Sequence, residues 1–382
     1  MQQLGVDGTL FPVFATALSL NDVQVTFANW LNSLGYCLMA IPAAFFIRNM
    51  GYKSGVVAGL SIFAIGVFLY YPAAEQHGYK FLLGAGFLAY SGLALLEIAA
   101  DPLIMQMGPA KSAIRRLNIA QALNPLGQLL GFFVSTWIVA SELRNPIGQL
   151  AHALVQPYFL IGLCVLLFAF LIDKIAFPPI STERVARQDS TFGDIAQLLK
   201  MPLFVFAIVA LALYMVGQSF LWDVTLRYVH AGQTSAADLL SWSLLAFLIG
   251  RFAGTALMFR FEPVRLLVVF AAAATILAAL AVLLGGRFGV FAILGASFFL
   301  SILFPTIFGC AVQRLGPHVK SASAILIMAS GSANMVLPII KLVCGPAAIS
   351  YMALVPVLCF GAILVFAVVQ QRDGGLRLQP SP

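Results

Sequence analysis

Runs of roughly twenty apolar residues, one after another along almost the whole chain, limit what this sequence can fold into more than any other feature. Each run is long enough to cross a bilayer as a helix. In hydrocarbon every backbone N–H and C=O must be satisfied within the protein, which leaves helices or closed barrels. The runs are unbroken and do not alternate as barrel strands would, so helices are expected. Composition agrees: 9% of the 382 residues are charged and 61% are hydrophobic, against about 25% charged in an average soluble domain. A soluble chain this apolar could not cover its surface with polar groups.

Read in order, residues 8–20 are apolar but too few to span, and have neither the basic start nor the small-residue cleavage site of a signal peptide. They are expected to be a first helix that lacks its beginning. Segment two runs from about Val23 to Ile47 and ends in the basic turn Arg48–Lys53; segment three continues to about Tyr71. Segments four to six cover about 81–105, 117–140 and 157–177. Residues 178–200 are polar and divide the chain nearly in half. Segments seven to twelve follow at about 202–229, 236–259, 264–284, 288–312, 322–344 and 348–370. The expected architecture is therefore an all-α polytopic membrane protein of about twelve helices. A six-helix bundle at 1–177 and another at 201–382, which ends in a short tail, would be joined by a cytoplasmic linker at 178–200.

The net charge of +7 does not describe a nucleic-acid surface, because the basic residues sit in short loops without interleaved aromatics. They report orientation instead. With both termini and the linker on one side, fifteen of the 21 Lys and Arg residues fall on that side. Lys80, Arg144, Arg227, Arg287 and Lys341 fall on the other, and Arg251 lies within a helix. Basic loops mark the cytoplasm, so both termini are expected there. Two related six-helix halves are common among secondary transporters, which hold substrate near the membrane centre. The five cysteines are scattered singly in apolar stretches, with no spacing for a disulfide framework or a metal. The four histidines fall in loops and are expected to be solvated. No Ser/His, HExxH or GxGD-type constellation falls in the spans, so an enzyme is not expected.

The polar exceptions are informative. Glu97 and Asp101 lie at i and i+4, on one face of segment four. An ionised carboxylate at mid-membrane costs about 2.5–3.5 kcal/mol on insertion scales, which makes such acids functional by default. Burial favours the protonated form, so Glu97 is expected to carry a proton. Asp101, nearer the basic end and before Pro102, reads equally as a partner for Arg115 or Arg116. On segment five, Gln121, Asn124 and Gln128 step by three and four along one helix face. Amides both donate and accept, which suits sugar hydroxyls and equally suits bonding between helices. Segment seven adds Tyr214, Gln218 and Trp222 at spacings of four. An aromatic face beside an amide suits a pyranose ring; an aromatic packing ridge has the same pattern.

Several motifs resemble the fucose permease group of the major facilitator superfamily, the fucose–galactose–glucose:proton symporters. They are Tyr52-Lys53-Ser54-Gly55; Leu96-Glu97-Ile98-Ala99-Ala100-Asp101-Pro102, similar to LETAANP; and Arg116-Leu117-Asn118-Ile119-Ala120-Gln121 with Asn124, similar to RLNLAQ…N. Gln218-x-x-x-Trp222 with Arg227-Tyr228, Ile249-Gly250-Arg251-Phe252-x-Gly254-Thr255 and Pro305-Thr306-Ile307-Phe308 continue the match. The resemblance implies a sugar contact and proton coupling at Glu97, and a sugar cavity lined by Gln121 and Asn124. It also implies a second proton-linked acid in the first helix, ahead of Pro-x-Phe. Asp7, before Pro12-x-Phe14, fits that place better than Asp22, since Asn21 or Asp22 sits where a helix cap is expected. The chain departs from the family in the short first segment and in Asp101, where the family keeps Asn. It departs again in Ser330-Gly331-Ser332-Ala333-Asn334, where Asn334 becomes a further candidate sugar contact.

With that resemblance, the chain is expected to be a proton-coupled symporter for a hexose-like sugar, monomeric and in the bacterial cytoplasmic membrane, with lipid around it and protons rather than a cofactor. Glu97 and Asp7 would couple protons. Gln121, Asn124, Gln128, Tyr214, Gln218, Trp222 and Asn334 would hold substrate. Asp101, Arg116 and Arg251 would serve structure or gating. The alternatives are an exporter of a drug or metabolite and a transport-inactive sugar-binding membrane protein.

Overall fold

The structure, a computed structural model, describes residues 20–75, 78–142, 147–177, 191–228, 236–313, 315–344 and 354–372. Segment one and Asp7 lie outside these residues, as does the side chain of Asn334.

The described chain is helical, with no strand among the described residues. In order, the helices are α1 (Asp22–Phe68), α2 (Tyr70–Glu75), α3 (Tyr79–Gln106), α4 (Ala113–Gln121), α5 (Leu123–Glu142), α6 (Ile147–Lys174) and α7 (Thr191–Leu198). The rest are α8 (Pro202–Tyr228), α9 (Ala236–Leu257), α10 (Pro263–Leu284), α11 (Gly286–Leu300), α12 (Leu303–Val312), α13 (Val319–Cys344) and α14 (Leu354–Arg372). Seven stretches among the described residues are long and apolar enough to span, from Val23–Ala73 to Leu354–Arg372. Large side chains such as Leu283, Phe288 and Leu358 are exposed along them, as lipid-facing positions should be.

Local chemistry sets the boundaries. Asn21 is the cap of α1: its side chain accepts from the Gln24 N–H at 2.8 Å, and Gln24 Oε1 accepts from the Asn21 N–H at 3.0 Å. That reciprocal pair is a capping box. Segments two and three are the two arms of α1, separated at Gly51, whose φ of 83° a side-chain-bearing residue adopts with difficulty. Segment five is α4 plus α5, broken at Ala122. Segment ten is α11 plus α12, broken at Ser301 and Ile302. Both breaks have one cause. Pro125 and Pro305 have no N–H to give to the carbonyl four residues earlier, on Gln121 and Ser301.

The described residues fall into two compact units. One comprises those within Met1–Leu103, Gly127–Thr191 and Ser323–Met335; the other comprises those within Ile104–Leu126, Phe192–Ala322 and Val336–Pro382. In the first, Ala28, Val67, Ala73, Leu82 and Ala85 are buried around the stacked rings of Tyr70 and Tyr158, 4.6 Å apart. The second arm of α1 and α3 pack closely enough that a Cβ on Gly92 would fall 2.3 Å from the Phe63 nitrogen. Small residues permit such approach in lipid, where helix association relies on contact rather than on expelling water. In the second unit, Phe270 of α10 meets Phe298 and Phe299 of α11 at 6.1 and 5.2 Å.

The linker is not wholly extended polar chain. Its end forms α7, whose Asp194 is buried and accepts from His318 Nδ1 at 3.0 Å and Ser321 Oγ at 3.3 Å. The expectation of a solvated loop histidine is therefore corrected for His318, whose side chain is 11% exposed. His152 lies in α6 rather than in a loop, with its side chain outside the described set, and His77 and His230 lie outside the described residues.

Candidate functional site

In the first unit, α3 presents Glu97 half-buried in an apolar helix. Its partner is the Tyr36 hydroxyl of α1, which donates to Glu97 Oε2. The acid is thus held by a neutral donor. One turn on, Asp101 is buried ahead of Pro102. The arginines considered as its partners are engaged by groups other than a carboxylate. Arg116 Nε donates to the Ile104 carbonyl at 3.2 Å, and Nη1 donates to the Pro109 carbonyl at 2.8 Å and to Ser112 Oγ at 2.6 Å. Its Nη2 donates to the Met105 carbonyl. It therefore gathers the unsatisfied carbonyls where α3 ends. Desolvation and the neighbouring Arg115 both lower the Arg116 pKa, but a guanidinium starts high enough to stay charged. Arg115 lies over the Phe259 ring at 4.3 Å.

In the second unit, Tyr214, Gln218 and Trp222 lie on one face of α8 and all are buried. The Tyr214 hydroxyl lies beside Gln218 and within electrostatic reach of Arg251. Among the described residues, the Trp222 indole nitrogen has no partner at hydrogen-bonding distance, and the Tyr214 hydroxyl and the Gln218 amide have none beyond each other. Buried polar atoms are almost always paired, so this face keeps hydrogen-bonding capacity that its neighbours among the described residues do not take up. The packing-ridge reading accounts for the rings, since Trp222 meets Phe247 at 5.7 Å and Tyr214 meets Phe304 at 6.0 Å. It does not account for the polar atoms.

Arg251 joins this cluster. It is fully buried on α9, lies over the Phe247 ring at 5.2 Å, and donates from Nη1 to the Gln121 carbonyl at 3.2 Å. That carbonyl is the one Pro125 leaves without an intrahelical donor. The break in segment five therefore provides a bond between α4 and α9. A second bond joins α4 to α12, from Asn118 Nδ2 to Thr306 Oγ1 at 3.3 Å. Gln121 and Gln128 are buried, whereas Asn124, just past the break, is exposed. The three amides do not share one environment. Asn334 lies in α13, and its side chain is outside the described residues.

Sequence reasoning missed Tyr36. The signal was a polar series in segment two, where Asn32 and Tyr36 stand four residues apart and both are buried.

These features define a class: a polytopic helical membrane protein with an acid inside an apolar helix and a buried polar face on α8. Comparison with known proteins narrows it. The profile of the Major Facilitator Superfamily matches residues 6–338. The chain belongs to that superfamily and, within it, to the fucose permease group. It is 31% identical to the L-fucose-proton symporter of Escherichia coli K12, over 94% of this chain and 87% of that one. It is 29% identical to a glucose/galactose transporter of Brucella abortus biovar 1, over 95% and 89%. It superposes on the crystal structure of the major facilitator superfamily transporter FucP in the outward conformation with a TM-score of 0.86, at 31% identity, covering 96% of this chain and 94% of that one. The fold is accordingly the all-α, twelve-helix major-facilitator fold.

Proposed function

We propose that this protein is a proton-coupled sugar symporter that takes up a fucose-, galactose- or glucose-like monosaccharide by alternating access. The observation that carries the reading is Glu97: an acid inside an apolar helix, bonded to a neutral hydroxyl. An acid so placed is costly when ionised and gains by taking a proton. Gln218, Trp222 and Tyr214 offer donors and acceptors to sugar hydroxyls, and the rings offer an apolar face. Gln121, Asn124, Gln128 and Asn334 are further proposed sugar contacts. Asp7 is the second proposed proton-linked acid. Protonation removes a buried charge and so supplies the difference between states that a carrier needs to reorient. Arg251 and Arg116, which hold α4 through backbone carbonyls, and Asp101 are assigned to gating or structure.

The division into bundles 1–177 and 201–382, cytoplasmic termini, a monomer, no cofactor and no catalytic chemistry complete the proposal, in a bacterial cytoplasmic membrane.

The test is uptake into proteoliposomes of labelled fucose, galactose and glucose, with and without an inward proton gradient. Accumulation of at least one sugar, abolished by a protonophore, is expected. Sugar binding without transport would identify the transport-inactive alternative. No binding or counterflow of any sugar would sink the reading and favour an exporter of other cargo.

A further inference from the structure

Tyr36 and Cys37 stand where α1 touches two other helices. Towards α3, the Tyr36 hydroxyl donates to Glu97 Oε2. Towards α13, the Tyr36 ring lies against Gly331 so closely that a Cβ there would come 2.4 Å from Cδ1. The next residue, Cys37, directs its Sγ to the Met328 carbonyl at 3.5 Å. Tyr36 itself is buried. One side chain therefore touches both the proposed proton carrier and a backbone in segment eleven, which the sequence places in the other six-helix half.

We propose that Tyr36 is a positioning residue for proton coupling: its hydroxyl reads the charge on Glu97, and its ring passes the result to α13 at Gly331. The proposal rests on the symporter reading, in which Glu97 is the proton carrier.

The chemistry is asymmetric. A carboxylate only accepts, and an O–H donated to it makes the stronger, charge-assisted kind of bond. A protonated carboxyl is a weaker acceptor and brings an O–H of its own. Taking a proton therefore loosens the anchor that holds the Tyr36 ring in place. Because Gly331 has no side chain, the ring meets the α13 backbone directly, and any shift of the ring changes that seam. A proton can drive a conformational change only through a bond that differs between states; the bond from Tyr36 to Glu97 is one. Among the described residues, the titratable groups here are Tyr36 and Cys37 on α1 and Glu97 on α3. Asp101, also on α3, lies within electrostatic reach of the Tyr36 hydroxyl. From α13, Ser330 and Gly331 face the same place, and neither titrates.

Cys37 is a native reporter of this seam. In full-length protein with the other four cysteines replaced by serine, the rate of maleimide labelling at Cys37 is measured in proteoliposomes at one pH. Four forms are compared: with and without Glu97→Gln, each with and without Tyr36→Phe. Glu97→Gln is expected to raise the rate at least about fivefold when Tyr36 is present, the lower end of ordinary coupling between sites. In the Tyr36→Phe background it is expected to change the rate less than about twofold. Gly331→Ala, which displaces the ring and leaves the hydroxyl, is expected to remove the coupling as Tyr36→Phe does, and it covers the case in which Tyr36→Phe misfolds. In sugar uptake, Tyr36→Phe is expected to move the alkaline limit of proton-driven accumulation to higher pH while counterflow persists. An equal effect of Glu97→Gln with and without the Tyr36 hydroxyl overturns the proposal, as does no effect in either. Labelling needs no sugar, so either result is distinct from failure of the symporter reading, which shows as absent counterflow in the unmodified protein.

Discussion

Replacing Gln218 with methionine should make this carrier more stable and worse at its task. Methionine matches glutamine closely in length and flexibility, so the packing around α8 is kept. Both polar atoms of the Gln218 amide are buried, with no partner among the described residues beyond the Tyr214 hydroxyl. Each such atom costs about 1–3 kcal/mol. Water that reaches the amide reduces this, so the lower end applies, about 1 kcal/mol for each atom. The sugar-free protein should gain about 2 kcal/mol, seen as an unfolding temperature a few degrees higher in detergent. Sugar binding should lose two neutral hydrogen bonds, also about 2 kcal/mol, or roughly 30-fold in affinity. Calorimetric titration and thermal unfolding with and without sugar measure both quantities. A lower unfolding temperature without sugar, together with unchanged affinity, refutes the reasoning and returns Gln218 to a packing role.

Three further outcomes follow from the geometry. Trp222→Phe keeps a ring beside Phe247 but loses the indole N–H, so equilibrium binding should weaken by about 5–10-fold while the proton-to-sugar ratio stays the same. His318→Phe leaves Asp194 of α7 with the Ser321 bond and should cost about 1–3 kcal/mol of stability, read by thermal unfolding. Asp194→Ala should cost a similar amount, and the double variant should cost less than the sum, since the two share one bond. Gly92→Val places atoms where the α1 backbone already lies; overpacking of about 1–3 kcal/mol or more should appear as a smaller monodisperse fraction in gel filtration.

What could be read from the sequence, and what could not, divides along the range of the interaction. Most helix positions were legible because spanning hydrocarbon demands a long apolar run, though α6 begins at Ile147 rather than near 157, and the Asn21 cap because its partner is three residues away. Glu97 stood out because a charge is rare inside such a run. Tyr36 did not, because tyrosine is ordinary in a membrane helix and its partner lies 61 residues further along. His318 read as solvated because nothing local reveals that α7 returns to cover it. The three amides of segment five were read as one stripe on an ideal helix. Pro125 breaks the helix after Gln121, and the freed carbonyl goes to Arg251, 130 residues away. That break was legible in principle, since a proline always removes the donor for the carbonyl four residues before it; the identity of the replacement donor was not.

The central claim is that Glu97 couples proton movement to sugar movement, and Glu97→Gln tests it most directly. Glutamine keeps the shape and can still accept from Tyr36, but it cannot ionise. In proteoliposomes, the variant should lose proton-driven accumulation of sugar while still exchanging labelled for unlabelled sugar across the membrane. Accumulation at the unmodified level would contradict the account and leave Glu97 a structural residue.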